Sequence, residues 1–401
     1  MQPASTTIDA KALNAFVRAI GARLWRDRLV QLEAAGAAQT RAGRQTLQRH
    51  CIELTIERLR SRPLNRPPST AERWIASYAA NAAETLEALT PVGREALLGM
   101  LRAALVGEQC LVAPFHLLRT AAMQRARGFD VHYAVFEDEA APFDLLISRD
   151  GAEAEIACDM FSAEDGRGVH RGAWFRLMDR VDPELQTWLR AHPGRYILKM
   201  TLPKGLRTGA DENLLGQLHT RITTMLQTRT NADGDEAAMI RLDPLMLAAA
   251  QADELGLMPR LRQEFGPEAH LSVTTAGGGI FVMAARAAQE NEVAAAVRRR
   301  LAIVAPTRLT GTRPGILALF IEDTDRAEWR ILREKLELEG ETRQFMTNPE
   351  ARSVVAVTCT SRLELFGLPA PDAEPEGEVR FRNPAHPAAK TEALAPAVLS
   401  S

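Results

Sequence analysis

Between Pro114 and Met200 the spacing of apolar residues changes period several times, and this restricts the chain to a mixed α/β fold more than any other feature. Pro114–Arg127 carries helical spacing and stops at Gly128, a residue suited to a left-handed helix end. Three short strand candidates follow, Phe129–Phe136, Phe143–Ser148 and Glu153–Asp159, with Arg149-Asp150-Gly151 as a hairpin turn between the last two. Helical spacing returns from His170 to about Arg190, interrupted at Asp182-Pro183. After Pro193-Gly194, the run Tyr196–Met200 reads as a buried strand. The predicted order is α-β-β-β-α-β.

The flanking regions have their own patterns. Leu13, Phe16, Val17, Ile20 and Leu24 recur at helical spacing, as do Leu47, Cys51, Leu54, Ile56 and Leu59, so residues 1–112 are expected to form a helical domain. Ser69-Thr70-Ala71-Glu72 and Thr90-Pro91 are helix-opening signals. Residues 113–265 form the α/β core of the expectation and residues 266–367 a C-terminal α/β region, in which Gly277-Gly278-Gly279 is a hairpin turn between two strands. Residues 368–401 hold six prolines and few large apolar side chains, and are expected to be disordered.

The net charge of −2 hides a strong partition. Residues 1–128 carry 18 Lys and Arg against 10 Asp and Glu, a net +8, whereas residues 129–168 carry 11 acids against two arginines, a net −9. Only five of the 49 basic residues are lysine. A basic helical region suits a polyanion, and an acidic cluster suits a divalent cation. Four cysteines lie far apart without a CxxC pair, so neither a zinc site nor a disulfide framework is expected. No uncharged apolar run approaches the roughly 18 residues of a membrane helix, and a cytoplasmic protein without membrane partners is the expectation.

Phosphate-loop, HExxH, nucleophile-elbow and dinucleotide motifs are absent from the sequence. The acidic window is what remains. Alternate residues of a strand share a face, so Glu153, Glu155, Ala157 and Asp159 project one way and Ala154, Ile156 and Cys158 the other. Pairing through the Asp150-Gly151 turn brings Asp144 toward Glu155 or Asp159. Carboxylates gathered this way repel one another unless a cation or proton joins them, and the competing reading is a hairpin whose outer face is simply acidic.

The order α-β-β-β-α-β resembles the core of the PD-(D/E)XK nuclease-like superfamily. So do Asp144 in Phe143-Asp144-Leu145-Leu146 and the acidic strand Glu153–Asp159. The resemblance covers about residues 114–201. It implies a restriction-endonuclease-like αβββαβ core of α/β class with α+β elements, placed between the helical N-terminal region and the C-terminal α/β region. It also implies Mg²⁺ or Mn²⁺ held by Asp144, Glu155 and Asp159, a DNA or RNA partner, and phosphodiester hydrolysis. Where the family has Asp/Glu-x-Lys, this strand reads Glu155-Ile156-Ala157 or Ala157-Cys158-Asp159, without the lysine. His170, Arg171 and Lys199 are the candidates to supply the displaced catalytic cation.

Three functions follow as expectations: a metal-dependent nuclease, a catalytically inactive nuclease-fold binding or scaffold protein, and an enzyme centred on the C-terminal region. Glu322, Asp323 and Asp325, just after a buried strand, are the candidate acids for the third, although such acids more often cap the next helix.

Overall fold

A computed structural model describes residues 8–37, 40–61, 66–107, 109–209, 212–245, 260–261, 264–266, 269–324, 326–361 and 378–400. The chain is of α/β class. It opens with helices α1 (Ala10–Ile20), α2 (Ala22–Ala37), α3 (Arg41–Arg49), α4 (Cys51–Ser61), α5 (Thr70–Ala88), α6 (Pro91–Ala103) and α7 (Val112–Ala126). Their starts follow the local chemistry. Ser69 and Glu72 form a reciprocal capping box on α5, and Thr90 caps α6 ahead of Pro91. Gly128 closes the connection after α7 with φ of 85°.

Contacts divide the chain into two compact units, residues 1–35, 47–163 and 294–401, and residues 36–46 and 164–293. The sequence boundaries at 112/113 and 265/266 do not coincide with this division. The second unit is made of two stretches, the short one of residues 36–46 and the long one of residues 164–293, that interrupt the first.

The first unit is built on a six-stranded sheet. Its order is β1 (Asp130–His132), β2 (Leu145–Arg149), β3 (Ala152–Ser162), β9 (Gly315–Glu322), β10 (Val354–Ser361) and β11 (Val379–Arg382). A one-turn helix, α8 (Ala134–Glu137), shortens the first predicted strand. β2 and β3 pair antiparallel about Asp150-Gly151, whose φ values of 49° and 77° fit the two-residue turn that matches strand twist. Ala154, Ile156, Leu145 and Ile147 face the core formed with α1 and α4–α7.

The fourth strand differs from the expectation. β3 pairs in parallel with β9, whereas β4 (Arg195–Leu202) belongs to the other sheet. The physical reason lies in the side chains. Every residue of β9 is buried, as a central parallel strand requires, while β4 carries the exposed Arg195 and the half-buried Lys199. Helix α9 (Arg171–Ala191) and β4 therefore do not complete the sheet of the acidic hairpin. Within the first unit the order α-β-β-β-α-β runs α7-β1-β2-β3-α11-β9, with α11 spanning Val293–Arg308. Helices α12 (Arg326–Glu334) and α13 (Glu337–Met346) follow β9.

In the second unit the strand order is β5 (Ala232–Gly234), β6 (Met239–Pro244), β4, β8 (Gly279–Ala287) and β7 (His270–Ala276). One face packs against α9 and α10 (Glu212–Thr228). Gly277 and Gly278 make the β7–β8 turn with φ of 57° and 77°, as expected of a hairpin. The expected interruption of α9 at Pro183 does not occur. A helical proline costs about 3 kcal/mol. Trp174, Leu177, Met178, Val181, Leu185 and Leu189 are buried on either side of it, each contributing about 1.5–3 kcal/mol.

Residues 378–400 are ordered, which corrects the expectation of a disordered tail over that range; residues 368–377 lie outside the described residues. β11 pairs with β10, and Leu394, Ala397 and Val398 join the core of the first unit. No helix among the described residues is long and apolar enough to cross a membrane.

Two buried groups tie the folded state to pH. His116 on α7 donates from Nε2 to the Ala318 carbonyl at 3.0 Å, and burial lowers its pKa from 6.5 to about 4. The Arg66 guanidinium, with Ser69 and Arg58 beside it, outweighs burial and holds Glu72 at about 2 instead of 4.5. Unfolded chains take up these protons at higher pH than the folded protein does. Stability should therefore fall between pH 6.5 and 4 through His116, and between 4.5 and 2 through Glu72. Each effect is on the order of 1–3 kcal/mol. Urea midpoints measured against pH should flatten in the upper window for His116→Gln and in the lower one for Glu72→Gln. Curves parallel to wild type would show that these groups do not govern acid stability.

Candidate functional site

The β2–β3 register sets the site. Leu145 lies opposite Ile156 and Leu146 opposite Glu155, so Asp144, at the start of β2, falls on the face that carries Glu155, Ala157 and Asp159. The sequence reading of one shared acidic face holds. Glu155 is fully buried and Asp144 nearly so, so neither side chain points into bulk solvent.

Each carboxylate is already held. Arg308, at the end of α11, donates from Nη2 to both oxygens of Asp144 at 2.8 Å, and from Nε to the Pro142 carbonyl at 2.8 Å. The Cys158 amide donates to Asp144 Oδ2 at 2.6 Å. Arg300, two turns earlier on α11, grips Asp159 with Nε at 2.5 Å and Nη2 at 2.7 Å. Glu155 accepts from the Thr310 amide at 2.9 Å and from the Thr310 hydroxyl, with Arg313 Nη1 at 3.6 Å. Arg313 also donates to Glu153 at 2.7 Å.

Eight helical residues span about 12 Å, so the two arginines reach acids of two paired strands, Asp144 at the start of β2 and Asp159 on β3. Burial pushes the Asp144 carboxyl up, and Asp159 adds to the push. Arg308 and the Cys158 amide pull against it. Burial, together with Asp144, raises the Cys158 thiol, so it is not a thiolate nucleophile.

A divalent cation needs several oxygen ligands in one shell, usually with waters among them. This donor set does not fit that requirement, since guanidinium and amide donors occupy the carboxylate lone pairs. Among the described residues, no group of three or more His, Cys, Asp and Glu side chains is arranged to hold a metal ion.

His170, Arg171 and Lys199 belong to the second unit, whereas Asp144, Glu155 and Asp159 belong to the first. The His170 backbone amide donates to the Leu206 carbonyl at 2.8 Å, and its Nδ1 accepts from the Thr208 amide at 3.2 Å. The Arg171 amide donates to Glu164 Oε2 at 2.6 Å, at the start of α9. Lys199 Nζ lies 3.6 Å from Asp243 and 5.6 Å from the centre of the Phe265 ring. The cations that do meet the acidic face are Arg300, Arg308 and Arg313, more than 140 residues along the chain from their partners. The sequence analysis did not single these arginines out; the run Arg298-Arg299-Arg300 followed by Arg308 is the signal that could have found them.

The acids considered for a C-terminal centre begin with Glu322, the last residue of β9. Buried Glu322 accepts from the Cys110 thiol at 3.8 Å and lies 3.7 Å from Arg49 Nη2. Asp323, with φ of 61°, accepts from the Ser162 hydroxyl at 2.6 Å. Burial, then the charge of Glu322, pushes Cys110 to about 12. Asp325 lies outside the described residues. These contacts bind β3 and β9 to α3 and the α6–α7 connection.

No protein family, characterised protein or solved structure matches the chain.

If Arg308 neutralises Asp144, removing it leaves a buried carboxylate without its cation. Arg308→Ala should cost about 2–4 kcal/mol, the lower end reflecting partial exposure of the arginine. Asp144→Asn should recover much of that loss, giving a coupling of about 1–3 kcal/mol in a double-mutant cycle followed by chemical denaturation. Additivity of the two single changes would sink the pairing.

Proposed function

We propose that the protein is a nucleic-acid-associated binding protein on a PD-(D/E)XK-like framework, in which arginines of α11 stand where a nuclease would place its metal. The observation that carries this reading is the two-oxygen grip of Arg308 on Asp144, repeated by Arg300 on Asp159. The order α7-β1-β2-β3-α11-β9 and the acid at the start of β2 support the framework. The missing lysine, with Ala157 and Asp159 at the candidate positions, supports loss of cleavage.

Energetics favour the same reading. For Mg²⁺ to enter, Arg308 and Arg300 would both have to leave partners they hold with charge-assisted hydrogen bonds, and Mg²⁺ itself gives up hydration water reluctantly. An unpaired guanidinium would then sit beside a dication. A fold with arginines in these places is suited to holding its strands together and presenting other surfaces to a partner.

The test is direct. Purified protein, incubated with single- and double-stranded DNA and RNA in Mn²⁺ or Mg²⁺, should cleave none of them and should bind with equal affinity in EDTA. Mn²⁺-dependent cleavage that both Asp144→Ala and Glu155→Ala abolish would replace this reading with the metal-dependent nuclease.

A further inference from the structure

One end of the second unit gathers aromatic rings and unpaired cations. It is formed by the end of α9, the Pro193-Gly194 turn into β4, the end of α10 and the β7–β8 turn. The Trp188 indole donates to the Leu226 carbonyl at 2.8 Å, and the Gly194 carbonyl accepts from the Ile280 amide at 2.8 Å, so these pieces are in contact. His192 stacks on Trp188 with ring centres 4.8 Å apart and planes 27° from parallel. Tyr196 meets Trp188 edge-on, with ring centres 4.9 Å apart. Its ring lies over Gly194, where a Cβ would come within 2.7 Å of the tyrosine oxygen.

Hydrogen bonds hold the imidazole in one tautomer. His192 Nδ1 donates to the Trp188 carbonyl at 3.0 Å, and Nε2 accepts from Arg229 at 2.7 Å. Arg229 keeps a side chain at a left-handed position, φ 56°, which glycine would occupy with less strain. The ring is thus half-exposed and held by hydrogen bonds at both nitrogens, with a guanidinium at its edge.

The charge around this group is one-sided. Arg190, Arg195 and Arg229 are exposed, and none makes an ion pair among the described residues. Elsewhere in this unit, Arg176 and Arg180 meet Glu212, and Arg221 meets Asp233 and Asp235. The segments that meet here, residues 185–196, 225–231 and 274–281, contain no Asp or Glu. The C-termini of α9 and α10 contribute about half a negative charge each, which offsets roughly one of the three guanidiniums.

We infer that this end of the second unit is a docking surface for single-stranded nucleic acid, with phosphates on Arg190, Arg195 and Arg229 and a base stacked on the His192–Trp188 pair. Unpaired arginines supply the backbone contacts, and a rigid flat platform supplies sequence-tolerant stacking. The inference rests on the nucleic-acid reading above and not on the nuclease-like framework of the first unit.

Fluorescence anisotropy on the full chain tests it, using a labelled strand of about 16 nucleotides, an abasic strand of equal length, a duplex and anionic phospholipid vesicles. The Arg190→Ala/Arg195→Ala/Arg229→Ala variant should bind the strand at least about tenfold more weakly, with a salt slope lower by about two. His192→Ala should weaken the intact strand about fivefold or more and leave the abasic strand unchanged. All four residues are partly or fully exposed, and melting curves matching wild type confirm that the variants fold. Replacement of the three arginines by lysine should restore most of the affinity. If wild type binds the strand and the triple variant binds it equally well, this surface is wrong and the nucleic-acid reading stands. If wild type binds no nucleic acid, both fall. Arginine-dependent binding of duplex or vesicles, with no preference for bases over abasic sites, would overturn the single-strand inference.

Discussion

The pairing of α11 arginines with the carboxylates of β2 and β3 is the interaction on which the first unit depends. Asp144 and Glu155 are buried acids on one sheet face, and charges so placed are tolerated only with partners. Arg308, Arg300 and the Thr310–Arg313 segment supply them. Those same contacts fix α11 across β3 and deliver the chain into β9, which then pairs with β3 along eight residues. A sheet interrupted by a 130-residue insertion is rejoined at the point where the charges meet.

The local parts of this arrangement were legible in the sequence. Asp150-Gly151 predicted the hairpin, period-two alternation predicted which residues share the acidic face, and Gly277-Gly278 predicted the second turn. Each rests on residues within a few positions of one another. The partner of β3 was not legible, because parallel pairing is non-local and Tyr196–Met200 presents a strand pattern as good as Gly315–Ile321 at first sight. The discriminating detail is burial on both faces: β9 has no charged residue before Glu322, whereas Lys199 sits in the middle of β4. The tail was misread for a related reason. Residues 378–400 are short on large apolar side chains, yet Phe381, Leu394 and Val398 suffice when a sheet edge and a core are already present to receive them.

Charge partition also changes meaning in the fold. Part of the basic charge of residues 1–128 is engaged by acids. Arg58 and Arg66 serve Glu72, Arg60 serves Glu57, Arg49 approaches Glu322, and Arg127 pairs with Glu378. In the −9 segment, Asp144, Glu153, Glu155 and Asp159 are met by arginines far along the chain. Three exposed arginines that make no ion pair among the described residues, Arg190, Arg195 and Arg229, lie at the end of the second unit, in segments whose sequence shows only scattered arginines and one tryptophan. Dispersed residues of this kind become a surface only when two helix ends and two turns bring them together.

The central claim is that guanidinium groups, and no divalent cation, complete the acidic face of β2 and β3. Thermal unfolding of wild type in EDTA and across a millimolar series of MnCl₂ reads this most directly, since a ligand that binds only the folded state raises the midpoint with its concentration. The account predicts an unchanged midpoint for wild type, and the same for Asp144→Asn apart from a constant offset. A midpoint that climbs with Mn²⁺ in wild type and not in Asp144→Asn would contradict it.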